Sequence, residues 1–345
     1  MRQTETMTNK GIDVETRPSS RFDWLDIAKG IAAFFVILGH TVSNESVARD
    51  LIFSFHMPLF FIFAGYTFRK KAWCDLLSSS FKRLIIPYAL IVLVWNVPHY
   101  LMSTEALSLS GVAGLAFTTF FASGTPIPGT NIAAVGMSWF LMALFFARLI
   151  FNAVIIASNK TQNFYVFSFG ISLGLFLTGE VIGSRFNIYL PFSIDISLVS
   201  TLFMWGGYFV RNKAGHLLSS SLSAGLISCI IWIFSASHST LEMAARIYTP
   251  STVSVVAAFS GTYFFCWLSM QIAKVKSLSK LYPFYNYLLY CGRNSMGIYC
   301  FHALDWWVPW SSLSVFSGIP FPNLFISVLR FAYNLSYCKL TSLIR

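Results

Sequence analysis

Stretches of about 20 predominantly apolar residues, the length a helix needs to cross a bilayer, recur along almost the whole chain. They fall near 25–43, 51–68, 84–103, 137–157, 164–182, 194–210, 218–236, 252–273, 286–309 and 321–338. The residue balance agrees with a lipid environment: of 345 residues 56% are hydrophobic and only 11% charged, where soluble domains average about a quarter charged. The expected fold is therefore all-α, a polytopic membrane helical bundle of about ten transmembrane helices. It would comprise a polar cytoplasmic tail over 1–21, too polar and mixed in charge for a signal peptide, and one membrane domain over 22–340. The longest connection is expected near 104–136, where Gly111, Gly114, Gly124, Pro126, Pro128 and Gly129 accumulate.

A net charge of +11 raises the question of nucleic acid, but the cations sit mostly between the apolar runs. With the N-terminus inside, eighteen of the 24 Lys and Arg fall on the cytoplasmic side, only Arg49, Arg185 and Arg246 fall outside, and Lys29, Arg148 and Arg330 lie within spans. Lys and Arg collect on the cytoplasmic face of membrane proteins. Both termini are thus expected in the cytoplasm, and nucleic-acid binding has no support. The six cysteines form no CxxC pair and read as small apolar residues, so no metal site is expected. Internal repeats of the kind that mark many transporters are not evident.

Ionisable groups inside a membrane are costly and usually functional. The first run holds three: Asp26, Lys29 and His40. Eleven residues separate Lys29 from His40, which on a helix leaves an angular offset of about 20° and a rise of about 16 Å. Both therefore share one face at different depths, with Asp26 beside Lys29. Two readings fit these residues: a functional face, or an interfacial Asp26–Lys29 pair with His40 bonded to a neighbouring helix. In the second run His56 should lie near the depth of His40, with Pro58 and Gly65 read as packing features. Arg69, Lys82 and Arg83 at the cytoplasmic boundary fit lipid headgroups, and equally a phosphate site. His302 and Asp195 are expected in the outer third, where with His40 and His56 they would form a proton-active layer above a cationic one. The tryptophans near span ends, Trp95, Trp139, Trp306, Trp307 and Trp310, read as interfacial anchors.

Several of these segments, in order, resemble the acyltransferase 3 family of integral membrane acyltransferases. They are Asp26-Ile-Ala-Lys29-Gly30 followed by His40; Phe55-His56-Met57-Pro58-Leu59-Phe60-Phe61 with Ala64-Gly65-Tyr66; Lys82-Arg83-Leu84-Ile85-Ile86-Pro87-Tyr88; Trp139-Phe140-Leu141; Asp195 before Gly206-Gly207-Tyr208; and Gly292-Arg293-Asn294-Ser295-Met296-Gly297-Ile298-Tyr299 ahead of His302. The likeness runs from about 22 to 305 and is closest to the fucose O-acetylase-like branch. It implies acetyl-CoA as a cytoplasmic co-substrate with no permanently bound cofactor. It also implies transfer of the acyl group to a hydroxyl of a surface polysaccharide or its lipid-linked precursor, with Lys29 and His40 as the functional pair. Lys29 stands where many members carry Arg, replacing a two-pronged contact by a point charge. The usual pair of arginines three apart is incomplete, since Ile86 follows Arg83 at that spacing.

The resulting expectation is a bacterial inner-membrane O-acyltransferase, with His40, Lys29 and Asp26 at the reacting centre and Arg69, Lys82 and Arg83 holding the coenzyme A phosphates. His56, His302 and Asp195 would serve the acceptor and the proton relay. His40 would act as general base or transient acyl carrier, either of which needs the neutral imidazole, so activity should fall below about pH 6.5. The expected partners are acetyl-CoA, a polysaccharide or lipid-linked glycan, and the bilayer; a homo-oligomer is left open. Rival readings are an O-succinyltransferase, for which Arg148 is the unassigned cation, a polytopic transporter of a lipid-linked or small polar substrate, and an inactive sensor or scaffold.

Overall fold

The computed structural model describes residues 22–42, 46–102, 108–218, 221–274, 281–305 and 322–343. The expected tail over 1–21 and the anchors Trp306, Trp307 and Trp310 lie outside them. The described chain is mostly helical: α1 (Asp23–Gly39), α2 (Val47–Tyr66), α3 (Trp73–Leu101), α4 (Leu109–Phe121), α5 (Gly136–Ser158), α6 (Phe164–Arg185), α7 (Pro191–Asn212) and α8 (Leu222–Ser237) precede a small hairpin. In that hairpin β1 (Thr240–Glu242) pairs antiparallel with β2 (Ile247–Thr249), Glu242 facing Ile247. Then come α9 (Ser251–Lys274), α10 (Tyr282–Arg293), α11 (Ser295–Leu304) and α12 (Pro322–Leu343).

Six of these, α2, α3, α5, α6, α7 and α9, are each long and apolar enough to cross a bilayer. That is fewer than the ten apolar runs. α1 has 17 residues, and α4 and α8 are apolar but short. The run expected at 286–309 is divided at Asn294, whose side-chain amide donates to the Tyr290 carbonyl at 2.8 Å instead of capping the helix that follows. Conversely, the expected connector at 104–136 contains α4, started by Ser108, whose hydroxyl accepts from the Gly111 N–H at 3.0 Å. α2 breaks at Ser54–Phe55 and restarts at His56. Pro58 therefore sits in a first turn, where a missing N–H is harmless, and is no mid-helix kink.

α1 is the hub, packing against α2, α9, α10, α11 and α12, while α7 holds α2, α5 and α6 together. Two of these approaches are backbone on backbone. A Cβ on Gly292 of α10 would overlap the Asp26 backbone of α1, and Cβ atoms on Gly65 and Gly207 would overlap the backbones of α7 and α2. Small residues at such crossings let membrane helices gain close van der Waals contact where no hydrophobic force separates helix from lipid. The outward faces of α3, α6 and α8 expose Leu90, Leu93, Val166, Ile230 and Phe234, an apolar surface suited to lipid. The crossing at Gly292 yields a stability test. Gly292→Ala forces α10 off α1 at a cost of about 1–3 kcal/mol, lowering the melting temperature in detergent by several degrees. Gly174→Ala on α6, where a Cβ meets nothing within 4 Å, leaves it unchanged or raised.

Candidate functional site

The polar groups of α1 open into two cavities at opposite ends of the helix. The first, about 260 Å³, is lined by Asp26 and Lys29 together with Arg293 and Thr67, and by the apolar walls Phe60, Phe63, Phe140 and Leu144. The second, about 310 Å³, is lined by His40 and His56, by Trp95 and Trp139, and by Glu242. Between them lies a void of about 10 Å³ against Ala33, Val36, Phe60 and His302, at or below the space one water requires. Tyr299 lines all three spaces. Its hydroxyl donates to the Met137 carbonyl and its ring meets Phe140 edge-on, centroids 5.4 Å apart. The two cavities are thus separated at rest by a waist of aromatic side chains.

In the Lys29 cavity, Asp26 stands between two cations: Lys29 Nζ at 3.5 Å and Arg293 Nε at 3.6 Å. Arg293 also approaches Asp23 at 4.0 Å, and Asp23 accepts a hydrogen bond from the Tyr285 hydroxyl. Among the described residues two carboxylates thus face two cations, a pairing that stabilises each charge in a partly buried setting. Arg293 was not singled out from the sequence as a site residue. Its position directly after Gly292, whose missing Cβ lets α10 touch α1 at Asp26, is what delivers it.

Further cations lie at the rim. Arg69, Lys82 and Arg83 are exposed and line neither cavity, but Arg69 follows Thr67 of the Lys29 cavity by two residues. Its loop is fixed by the buried Asn152 of α5, which accepts from the Lys71 N–H at 3.4 Å and donates to the Lys71 carbonyl at 3.3 Å. Arg83 lies within electrostatic range of the half-buried Arg148. Two cations held near one another favour anions over either alone.

His40 and His56 line the His40 cavity, and His302, on the void below it, stands beside His40. The half-buried His40 ring is 5.7 Å from that of His302 and 5.8 Å from Phe53, and Phe53 is 4.7 Å from His56. His56 Nδ1 donates to the Ile52 carbonyl at 2.8 Å, leaving Nε2 as its acceptor. His302 Nδ1 donates to Asp305 Oδ2 at 2.8 Å, and the same carboxylate takes Arg330 Nη2 at 2.8 Å and Asn334 Nδ2 at 2.8 Å. Arg330 also donates to the Thr41 hydroxyl at 3.0 Å, one residue from His40. His302 Nε2 is buried and has no hydrogen-bond partner among the described residues. A carboxylate that fixes one imidazole nitrogen as N–H leaves the other as a proton acceptor, here in the ring beside His40. Asp305 and Arg330, the latter without an evident partner in sequence, form this support.

Asp195 is placed elsewhere than expected. It is fully buried at the start of α7, its Oδ2 2.7 Å from Arg246 Nε, and lines none of the three spaces. Its Oδ1 also accepts from the Leu190 N–H at 3.3 Å, so the carboxylate sits in a buried cluster with Arg246, apart from the three spaces. Trp95 and Trp139, read from the sequence as interfacial anchors, instead line the His40 cavity. Among the described residues no group of three or more His, Cys, Asp or Glu is placed to hold a metal ion.

A family model described as an acyltransferase domain, that of acyltransferase family 3, matches residues 22–337. No curated protein and no solved structure gives a significant match. The Asp305 cluster yields a direct test: Asp305→Ala strips Arg330 and His302 of the carboxylate they share, costing about 3–5 kcal/mol. Thermal unfolding in detergent should show a large drop, and a variant as stable as the wild type would refute the cluster.

Proposed function

The chain belongs to the acyltransferase 3 family, and from that premise we propose that it is a bacterial inner-membrane O-acyltransferase of the fucose O-acetylase-like kind. It moves acetyl from cytoplasmic acetyl-CoA to a hydroxyl of a cell-surface polysaccharide, such as O-antigen, capsule or exopolysaccharide, or of its lipid-linked precursor. The observation that carries this reading is the pair of cavities at the two ends of α1, Lys29 in one and His40 in the other, parted by a waist that includes Tyr299 and Phe60. Such an arrangement suits a charged donor from one side and a neutral acceptor from the other.

The cationic end of α1, near Arg69, Lys70, Lys71, Lys82 and Arg83, fits the cytoplasmic face under the positive-inside rule, as does the full set of ten spans with both termini inside. Coenzyme A phosphates would dock on these rim cations, which are exposed and stand outside the Asp26, Lys29 and Arg293 cluster. The half-apolar Lys29 cavity suits the pantetheine arm, whose amides can meet Lys29 and whose methylenes can meet Phe60 and Phe140. The rise of about 16 Å from Lys29 to His40 is of the order of that arm. For the thioester to reach His40, Tyr299 must release the Met137 carbonyl and open the waist.

His40 then takes the proton of the acceptor hydroxyl. The oxygen attacks the thioester carbonyl, a carbon–oxygen bond forms as the carbon–sulfur bond breaks, and the thiolate leaves and recovers the proton. His302, oriented by Asp305, stabilises the imidazolium formed on His40.

The test is mass spectrometry of the surface glycan from cells expressing wild type, His40→Ala or Lys29→Ala at equal membrane levels. An acetyl increment present with the wild type should fall at least about 100-fold in His40→Ala, the scale of a lost general base. An increment indifferent to both substitutions overturns the reading. Asn152→Leu, which frees the rim loop without touching either cavity, should raise the KM for acetyl-CoA severalfold while kcat changes less.

A further inference from the structure

The His40 cavity carries more than its imidazoles. Glu242, at the end of β1, is the sole carboxylate among the described residues that line it. It is gripped at both oxygens by Arg49, Oε1 to Nη2 at 2.9 Å and Oε2 to Nη1 at 3.3 Å. The Arg49 guanidinium in turn lies over the Phe53 ring, 3.8 Å from its centroid, and Phe53 is the ring that separates His40 from His56. Glu242 is therefore locked in register with the histidines.

The hairpin that bears it is locked as well. Arg246, between the strands, donates to Asp195 Oδ2 at 2.7 Å, to the Ser123 hydroxyl at 2.8 Å and to the Ala244 carbonyl at 2.8 Å. The neighbours of these anchors, Gly124 and Met243, line the cavity. The buried Asp195–Arg246 pair thus holds two walls of the chamber in place.

The chemistry of those walls selects a ligand class. A carboxylate has about four acceptor sites and Arg49 uses two, so Glu242 can still accept from two adjacent O–H groups. The half-buried Trp95, its ring 4.1 Å from that of His99, also lines the space, an aromatic surface for C–H faces. Apolar ring faces with hydroxyls at the edge are the property of a pyranose. At about 310 Å³ the chamber sits at the small end of ligand pockets, about 300–1,000 Å³, which suits one ring. No Lys or Arg is among the described residues that line the cavity, and both terminal nitrogens of Arg49 are bound to Glu242, so a uronate would bring its charge to a carboxylate with no further cation to receive it.

We propose that Glu242 and Trp95 form an acceptor subsite for a single neutral pyranose, gripping two neighbouring hydroxyls and presenting a further one to His40. This rests on the acyl-transfer reading of the same cavity. The purified full-length protein in nanodiscs would be given radiolabelled acetyl-CoA with methyl hexopyranosides, methyl hexuronides or glycerol, and release of coenzyme A would be followed in parallel. Neutral glycosides should be acetylated at least tenfold better than hexuronides or glycerol. Glu242→Gln should raise the KM for the neutral glycoside tenfold or more, with the smaller part of the loss in kcat, and Glu242→Asp should recover part of it.

Because Glu242→Gln also weakens Arg49, Trp95→Ala provides an independent arm, raising the same KM without raising that for glycerol. Hexuronides used as well as neutral glycosides, or both variants affecting glycerol as much as the glycoside, would overturn the subsite and leave the acyltransferase standing. Coenzyme A released by the wild type with no glycoside acetylated would do the same. No release of coenzyme A with any acceptor would overturn the acyl-transfer reading itself.

Discussion

A helix with a carboxylate, an ammonium and an imidazole along one face cannot turn that face to lipid. This constraint organises the molecule around α1. The helix is wrapped by α2, α9, α10, α11 and α12, and the peripheral helices meet the hydrocarbon with Leu, Val, Ile and Phe. The backbone contact at Gly292 brings α10 close enough for Arg293 to reach Asp26. The wrapping also serves the electrostatics, since Asp26 meets Lys29 on its own helix and Arg293 on the helix packed against it.

The same rule recurs at the other polar centres. Asp305 gathers Arg330, His302 and Asn334; Asp195 takes Arg246; Glu242 takes Arg49. A buried pair contributes little net stability but severe loss when one partner is removed, so such pairs act as registers between elements. Each joins segments remote in sequence and fixes a wall of a cavity. The waist at Tyr299 is, by contrast, aromatic and hydrogen-bonded once, a contact that can open without stranding a charge.

The membrane class, the helical content and the existence of most elements could be read from the chain, because apolar runs near 20 residues leave a bilayer helix few alternatives. The α10–α11 break was legible only in part, because Asn294 and Ser295 mark a helix start but lie inside the apolar run 286–309, and α4 was hidden because Gly111 and Gly114 look like a loop. At the site, the common face of Asp26, Lys29 and His40 followed from helical periodicity. Arg293, Glu242 and Trp95, which line the cavities, and Asp305 and Arg330, which support His302, did not, since each is placed by a tertiary contact that no local pattern encodes.

The sequence by itself determined that this is a membrane bundle of the acyltransferase 3 family with ionisable groups at two depths on one helix. Periodicity and hydropathy act over tens of residues and survive without any knowledge of neighbours. Only the tertiary structure decided which charges meet. It set Asp195 in a buried pair with Arg246 away from the cavities, placed Trp95 and Trp139 in a cavity wall, and set Tyr299 between two chambers. Pairing of that kind depends on helix crossings, and a crossing is settled by where backbones can touch.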